Sequence, residues 1–592
     1  MDKIAFNTGW TVRPGVPNPF GVLFGSEPEG RPVTLPQDEM ILEQRRPDAP
    51  SGNQTGYYPV RSYTYEKRFF VPAEWKEKQN TLEFEGVMAQ AMVCLNGELV
   101  AANHYGYSQF YAELDPRLRY GEENVLTVIA RGFENESRWY PGAGIYRDVW
   151  LWQGGRIHVA PEGVRLTTRE LCEGYAVVEA NVTAANAGMD AKKLRLRVSL
   201  TAPDGRETSG ENVVSVLQTE SVKSHLRLIM DDPELWSPER PALYAYRAEL
   251  FDGDRLLDRA EGRFGIRSLA LDARHGLRIN GVETKLRGAC IHHDNGVIGA
   301  TTLPDAEAFR MRQLKAAGFN AIRSAHHPAG KALLDACDEL GILVMDELAD
   351  MWETPKNSAD YALDFVSEWR LSLERLVAKD CNHPSVVLYS LGNEIPEIGR
   401  RSDGRRSREL ANTLRSLDPT RFVTCAINGF LAMTDRIGEM TAEFAQAEEE
   451  AQEQAESSGS EALNAAMARM DQRKLDAFAV SRGLSDAMEE VACELDAVGY
   501  NYLTARHEYE HTAHPERVVV GSETYPTEIA RLWDIAARNP HVLGDFTWTG
   551  YDYLGEAGIA CYHYAPERRE QGWYPDRLAY CGTSTSTPAA AR

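Results

Sequence analysis

From Arg61 to Gln153 apolar and polar residues alternate in short runs, SYTYEKRFFV, TLEFEGV, MVCLNGELVAA and NVLTVIARG, broken by turn signals such as NG and YGEEN. Alternation with turns at this spacing predicts the strands of a β-sandwich. A second alternating region, from Ile157 to Leu269, carries VRLTTRE, YAVVEANVTAAN, KLRLRVSLTAPDG and YAYRAELFDGD. Its length of about 110 residues suits a further antiparallel sandwich of immunoglobulin size. After ARHGLRING the pattern changes. From Lys285 onward apolar runs alternate with helical stretches, as βα units do. The runs are KLRGACIHH, FNAIRSAHH, GILVMDEL, SVVLYSLGNE, RFVTCAIN, DAVGYNY, RVVVGSET and HVLGDFTWTG. Eight such strands predict a (β/α)8 TIM barrel. An open doubly wound sheet is the rival, but no Gly-rich phosphate turn follows the first strand.

The expected organisation is therefore multidomain: an N-terminal β-sandwich over 1–156, an immunoglobulin-like β-sandwich over 157–270 and the barrel over 271–582. Between the fifth and sixth runs lies an acidic, alanine-rich insertion (430–495) with a Ser/Gly break at Ser457 to Ser460. Such a charge-rich stretch is expected to be partly helical and largely solvated, with a mobile middle. The tail 583–592, TSTSTPAAAR, is expected to fray.

Composition narrows the function classes. With 64 Lys and Arg against 88 Asp and Glu, the net charge of −24 repels phosphate backbones and anionic lipids, so neither nucleic acid nor membrane is an expected partner. The start MDKIAFNTGWTVRPG has no apolar h-region, and the nine cysteines are scattered without a CxxC pair. A cytoplasmic protein with reduced thiols is the expectation.

In a parallel barrel, chemistry gathers at the carboxyl ends of the strands. Two of those ends carry a glutamate after an apolar run: Glu394 after VVLYSLGN and Glu523 after RVVVGS. A lone strand-end glutamate is most often a solvated or salt-bridged group. Two on one barrel rim differ, because burying a carboxylate costs desolvation that a structural role seldom justifies. A pair held about 5–5.5 Å apart is what retaining glycoside hydrolysis needs.

The motifs LRGACIHHD, NAIRSAHHP, NHPSVVLYSLGNE, VGYNY and GSET, in this order, resemble those of glycoside hydrolase family 2, which includes β-galactosidases and β-glucuronidases. SYTYEKRFFVP, VCLNGELV and SRWYPGAGIYRDVWL are similar to the family's jelly-roll sugar-binding domain, and LWSPERPALY with FGIRSL to its immunoglobulin-like domain. The resemblance implies Glu394 as general acid/base, with a raised pKa, and Glu523 as nucleophile. It further implies that Asn393 bonds the sugar 2-hydroxyl, that Arg323 holds Glu523 ionised, that His326 binds a sugar hydroxyl and that Tyr502 bonds the nucleophile. Trp548 would form an apolar platform under the sugar, against the alternative of core packing. Asp294 and Asp346, near the ends of the first and third runs, are candidate hydroxyl acceptors.

The paired histidines His292–His293 and His326–His327 raise a rival reading as zinc ligands. Adjacent strand residues point to opposite faces, so only one of each pair should reach a common centre, and no metal is assigned. The NxK tripeptide with which many family β-glucuronidases bind the substrate carboxylate does not occur, which favours a neutral sugar. The expected function is a retaining exo-β-glycosidase on a carbohydrate substrate, β-galactosides foremost. A β-uronidase of the same family and a non-catalytic carbohydrate-binding protein are the alternatives. No organic cofactor is expected and no ligand pattern requires a cation. The sandwiches offer surface for a homo-oligomer.

Overall fold

The computed structural model describes residues 1–17, 28–400, 402, 404–433, 472–560, 574 and 576–583. The Ser457–Ser460 break and most of the terminal tail lie outside these residues. A six-stranded antiparallel sheet (Arg31–Val33, Trp10–Pro14, Tyr63–Val71, Glu122–Arg131, Gln90–Leu95, Glu98–Asn103) and a four-stranded one (Asp2–Ala5, Val149–Gly155, Lys78–Phe84, Phe110–Glu113) make the first sandwich. Sheets of three strands (Ile157–Cys172, Tyr175–Asn186, Ser221–Asp231) and four (Glu207–Val216, Lys192–Thr201, Tyr244–Asp252, Arg255–Phe264) make the second. Alternation explains these strands: along Tyr175–Asn186, Ala176, Val178, Ala180, Val182 and Ala184 face the core while Glu179 and Thr183 do not.

Eight parallel strands then close a barrel in chain order: β1 (Leu286–Ile291), β2 (Ala321–Ser324), β3 (Leu343–Glu347), β4 (Val386–Asn393), β5 (Phe422–Asn428), β6 (Val498–Asn501), β7 (Val519–Thr524) and β8 (Val542–Thr547). β2, β3, β4, β6, β7 and β8 are buried at every position, as strands covered on both faces must be. Closure of β1 on β8 depends on Gly288, where a β-carbon would fall 2.3 Å from the Phe546 ring.

The first sandwich and the barrel share one continuous apolar core, whereas the second sandwich has its own. That continuity seats the first sandwich on the barrel mouth. Tyr105 Oη donates to Leu348 O (3.0 Å), Arg147 Nη2 to Pro328 O (3.2 Å), and the Trp139 ring lies 5.1 Å from that of His292 and 5.3 Å from that of His326.

The described part of the insertion corrects one expectation. Helices Gln472–Ala479 and Arg482–Ala492 are not simply solvated: Phe478, Leu484, Ala487, Met488 and Val491 are buried, and Arg506 Nη1 donates to Ala479 O (2.7 Å). The overall charge of the insertion hid an amphipathic face. Among the described residues no helix is long and apolar enough to cross a membrane.

Candidate active site

The apolar run of β4 ends at Asn393, and the next residue leaves the strand with φ +47°, a left-handed conformation that is uncommon for a residue with a β-carbon. Glu394 is held there by its own amide, which donates to Ala426 O of β5 (2.7 Å). Its Oε1 accepts hydrogen bonds from Asn428 Nδ2 (2.7 Å) and Asn501 Nδ2 (3.2 Å). Glu523 comes from β7. Its Oε1 accepts from Tyr502 Oη (2.6 Å), and its Oε2 from Arg323 Nη1 (3.0 Å) and Asn501 Nδ2 (3.1 Å). Asn501 Nδ2 therefore touches both carboxylates. One donor thus holds an oxygen of each carboxylate, which makes the two groups neighbours across the barrel mouth.

Behind this pair lies a buried ionic network. Arg323, fully buried, bonds Glu347 through Nη2 (2.8 and 3.0 Å) and Nε (3.2 Å), and also Asn393 Oδ1 (2.8 Å). Ser390 Oγ adds a 2.6 Å bond to Glu347. Asn393 Nδ2 donates to Asp350 (2.8 Å), which Arg138 grips from the first sandwich (3.0 and 2.8 Å) and Lys356 from the barrel loop (2.8 Å). Burial alone would raise the Asp350 carboxyl, yet the two cations pull it down to about 2.

Glu523 behaves otherwise. Burial first, then the charge of Glu394, push it up to about 7 against the lowering effects of Arg323 and Tyr502. Arg323 does sit against Glu523, at 3.0 Å, and lowers its pKa, but burial and the charge of Glu394 outweigh it.

His326 Nδ1 lies 3.1 Å from Arg323 Nη2 and 3.2 Å from Glu347 Oε1, and its ring stacks on Trp548 at 5.1 Å. Burial holds its pKa well below the usual imidazole range, so the ring is neutral. Trp548 also meets Tyr553 and His292 edge-on. The two aspartates do not reach this group. Asp346 accepts from the amides of Ala329 and Glu347 and pairs with Lys379 at 2.9 Å. Asp294 accepts from the amides of Gly296 and Leu554. Both are buried and engaged with backbone amides, and Asp346 also with a lysine.

Sequence reasoning missed Glu347, Asp350, Asn428, Asn501, Arg138 and Lys356. Strand alternation could have found Asn501, the residue before Tyr502 in GYNY. Nothing local marks Arg138, which reaches the barrel only through packing of the first sandwich. The chain also carries an HExxH spacing, HEYEH at His507–His511, the zinc-hydrolase pattern. The fold does not use it that way: His507 is buried, whereas Glu508 and His511 are exposed and His511 stacks on His541.

Comparison with known proteins follows this architecture. The family model "Glycosyl hydrolases family 2, sugar binding domain" matches 44–155, "Glycosyl hydrolases family 2" matches 158–267, and "Glycosyl hydrolases family 2, TIM barrel domain" matches 273–469. Beta-galactosidase BoGH2A of Bacteroides ovatus is 35% identical over 67% of this chain and 51% of its own length. A beta-glucuronidase of Bacteroides fragilis is 29% identical over 62% of this chain and 54% of its own. The chain thus spans about half the length of these curated relatives. A solved glycosyl hydrolase family 2 member from Bacteroides cellulosilyticus superposes with a TM-score of 0.83 at 30% identity, covering 98% of this chain and 69% of that one.

Proposed function

This chain belongs to glycoside hydrolase family 2, and from that premise we propose that it is a retaining exo-β-glycosidase acting on terminal β-galactosides. The observation that carries the reading is the single amide of Asn501 bridging Glu394 and Glu523 at 3.2 and 3.1 Å. Two carboxylates that share one donor are neighbours, as the retaining class requires, and in this reading one of them attacks the sugar directly.

In this reading the Glu523 carboxylate attacks the anomeric carbon while Glu394 passes a proton to the departing glycosidic oxygen. The C1–O bond breaks and an ester to Glu523 forms. Glu394, now ionised, takes a proton from a water that attacks the same carbon, releasing the sugar with its configuration retained and freeing Glu523. Tyr502 and Arg323 stabilise the Glu523 carboxylate as it departs from the sugar. In this reading His326 and Asn393 bind hydroxyls and Trp548 covers the apolar sugar face.

The preference for a neutral sugar rests on two points. NxK does not occur, and the cations beside the site, Arg138 and Lys356, both bond Asp350. A panel of aryl β-glycosides (galactoside, glucuronide, galacturonide, glucoside, mannoside, fucoside), run on the full chain beside Glu523→Ala, tests this. Galactoside turnover lost in the variant is the expected result. Turnover of a uronide instead would overturn the sugar assignment, and no turnover of any would overturn the enzymatic reading.

A further inference from the structure

β1 ends at Ile291, so the two-face alternation of a strand does not separate His292 from His293. Ring nitrogens of His292, His293 and His327 lie within 4.8 Å of one another, and all three rings are buried. Their hydrogen bonding sets which nitrogens carry the protons. His293 Nε2 lies 2.9 Å from Pro141 O, and His327 Nδ1 lies 3.4 Å from Pro328 O. A carbonyl only accepts, so these nitrogens carry the protons and leave lone pairs on His293 Nδ1 and His327 Nε2. Those two atoms, and both nitrogens of His292, have no hydrogen-bond partner among the described residues. The three rings line a cavity of about 10 Å³, room for a guest of one heavy atom.

We propose that His292, His293 and His327 bind a single borderline transition-metal ion, Zn2+ foremost. Three neutral imidazoles suit zinc, cobalt or copper and offer nothing to Mg2+ or Ca2+, which require oxygen ligands. Giving the second ring N–H to a backbone carbonyl is the usual outer support of a metal-bound histidine, and His293 and His327 already have it.

The surrounding charge points to the fourth ligand. Arg147 and Arg310 line the same cavity, and the Nε of each also lacks a partner among the described residues. Glu307, which also lines the cavity, bonds Arg310 at 2.7 Å and offsets one of these charges. The remaining N–H donors fit an anionic fourth ligand, hydroxide or chloride, which brings the ion's effective charge down to what the site tolerates. The His292 ring lies 4.3 Å from that of Tyr553 and 5.3 Å from that of Trp548. The ion is therefore a structural pin behind the aromatic wall of the candidate site, and no step of the proposed hydrolysis passes through it.

The test is metal content of the purified full chain after chelator treatment, dialysis against zinc chloride and removal of free metal. One zinc per chain is expected, absent in His293→Gln and His327→Asn. It should be retained in His383→Gln, which disrupts the other potential cluster among the described residues (Asp335, Asp338, His383), and in His511→Gln, which breaks the HExxH spacing. A wild-type chain that takes up no zinc, or loss of zinc only in the His383 or His511 variants, overturns the proposal. So does undiminished uptake by His293→Gln and His327→Asn. Should those two variants fail to fold, the visible spectrum of the cobalt-loaded wild type decides. Intense bands of a four-coordinate nitrogen site support the cluster, and weak octahedral bands or none refute it.

Discussion

Arg323 donates to both carboxylate oxygens of Glu347 at 2.8 and 3.0 Å from one nitrogen, while giving Glu523 a single bond of 3.0 Å. Glu347 thus competes with the candidate nucleophile for the one buried guanidinium between them. Replacing it by the neutral Glu347→Gln removes a nearby negative charge and leaves more of the Arg323 charge to Glu523. Both effects favour the ionised nucleophile. The acid limb of kcat/KM on an activated aryl β-galactoside, near pH 7 in the wild type given the Glu523 value of about 7, should move down by roughly one unit. An unmoved limb would show that Glu347 does not tune Glu523.

Glu394→Gln should separate leaving groups. Proton donation matters only when the departing alcohol is a poor leaving group, so kcat/KM should fall by about 10²–10⁴ for alkyl or simple phenyl glycosides and little for dinitrophenyl glycosides. An equal loss across the series would remove Glu394 from the acid role.

Stability should depend on pH through Glu523. Its folded pKa, about 7, lies above the unfolded value of about 4.3, so within that window the folded chain holds a proton the unfolded chain has released. Stability from this group therefore falls as pH rises through the window, by about 1.4 kcal/mol per unit at most. Glu523→Gln abolishes the penalty. Relative to wild type it should gain on the order of 2–3 kcal/mol between pH 5 and pH 8 in urea melts. A difference that does not vary with pH would contradict the raised pKa.

Arg138→Ala should act across the domain boundary. It leaves Asp350 buried with Lys356 as its remaining cationic partner and loosens Asn393, which Asp350 orients at 2.8 Å. A stability loss of about 3–5 kcal/mol is expected, together with a fall in kcat/KM of at least about tenfold, since a misplaced positioning group degrades the reacting geometry. Wild-type activity in a destabilised but folded variant would restrict Arg138 to holding the first sandwich on the barrel.

Much of this protein is legible in the chain. Alternation announces the two sandwiches, and eight apolar runs separated by helical stretches announce the barrel, because the side-chain period of each element is local. Glu394 and Glu523 stand out for a related reason: a charged residue that ends an otherwise apolar strand contradicts its surroundings, and the contradiction is visible without a structure. The burial of helix Arg482–Ala492 was not legible, since a net-charged insertion can still fold with one apolar face inward.

By itself, then, the sequence determined the order and type of the elements and the two carboxylates at their ends, all of which depend on neighbours close along the chain. Only the tertiary structure decided what surrounds those carboxylates. Asn501 bridges them, Glu347 shares Arg323 with the nucleophile, Arg138 enters from a loop of the first sandwich, and three histidines from two strand ends converge. These are relations between residues far apart in sequence. They arise where the barrel closes and the first sandwich docks, and in that buried, low-dielectric space a charge pair or desolvation shifts a pKa by amounts no local pattern encodes.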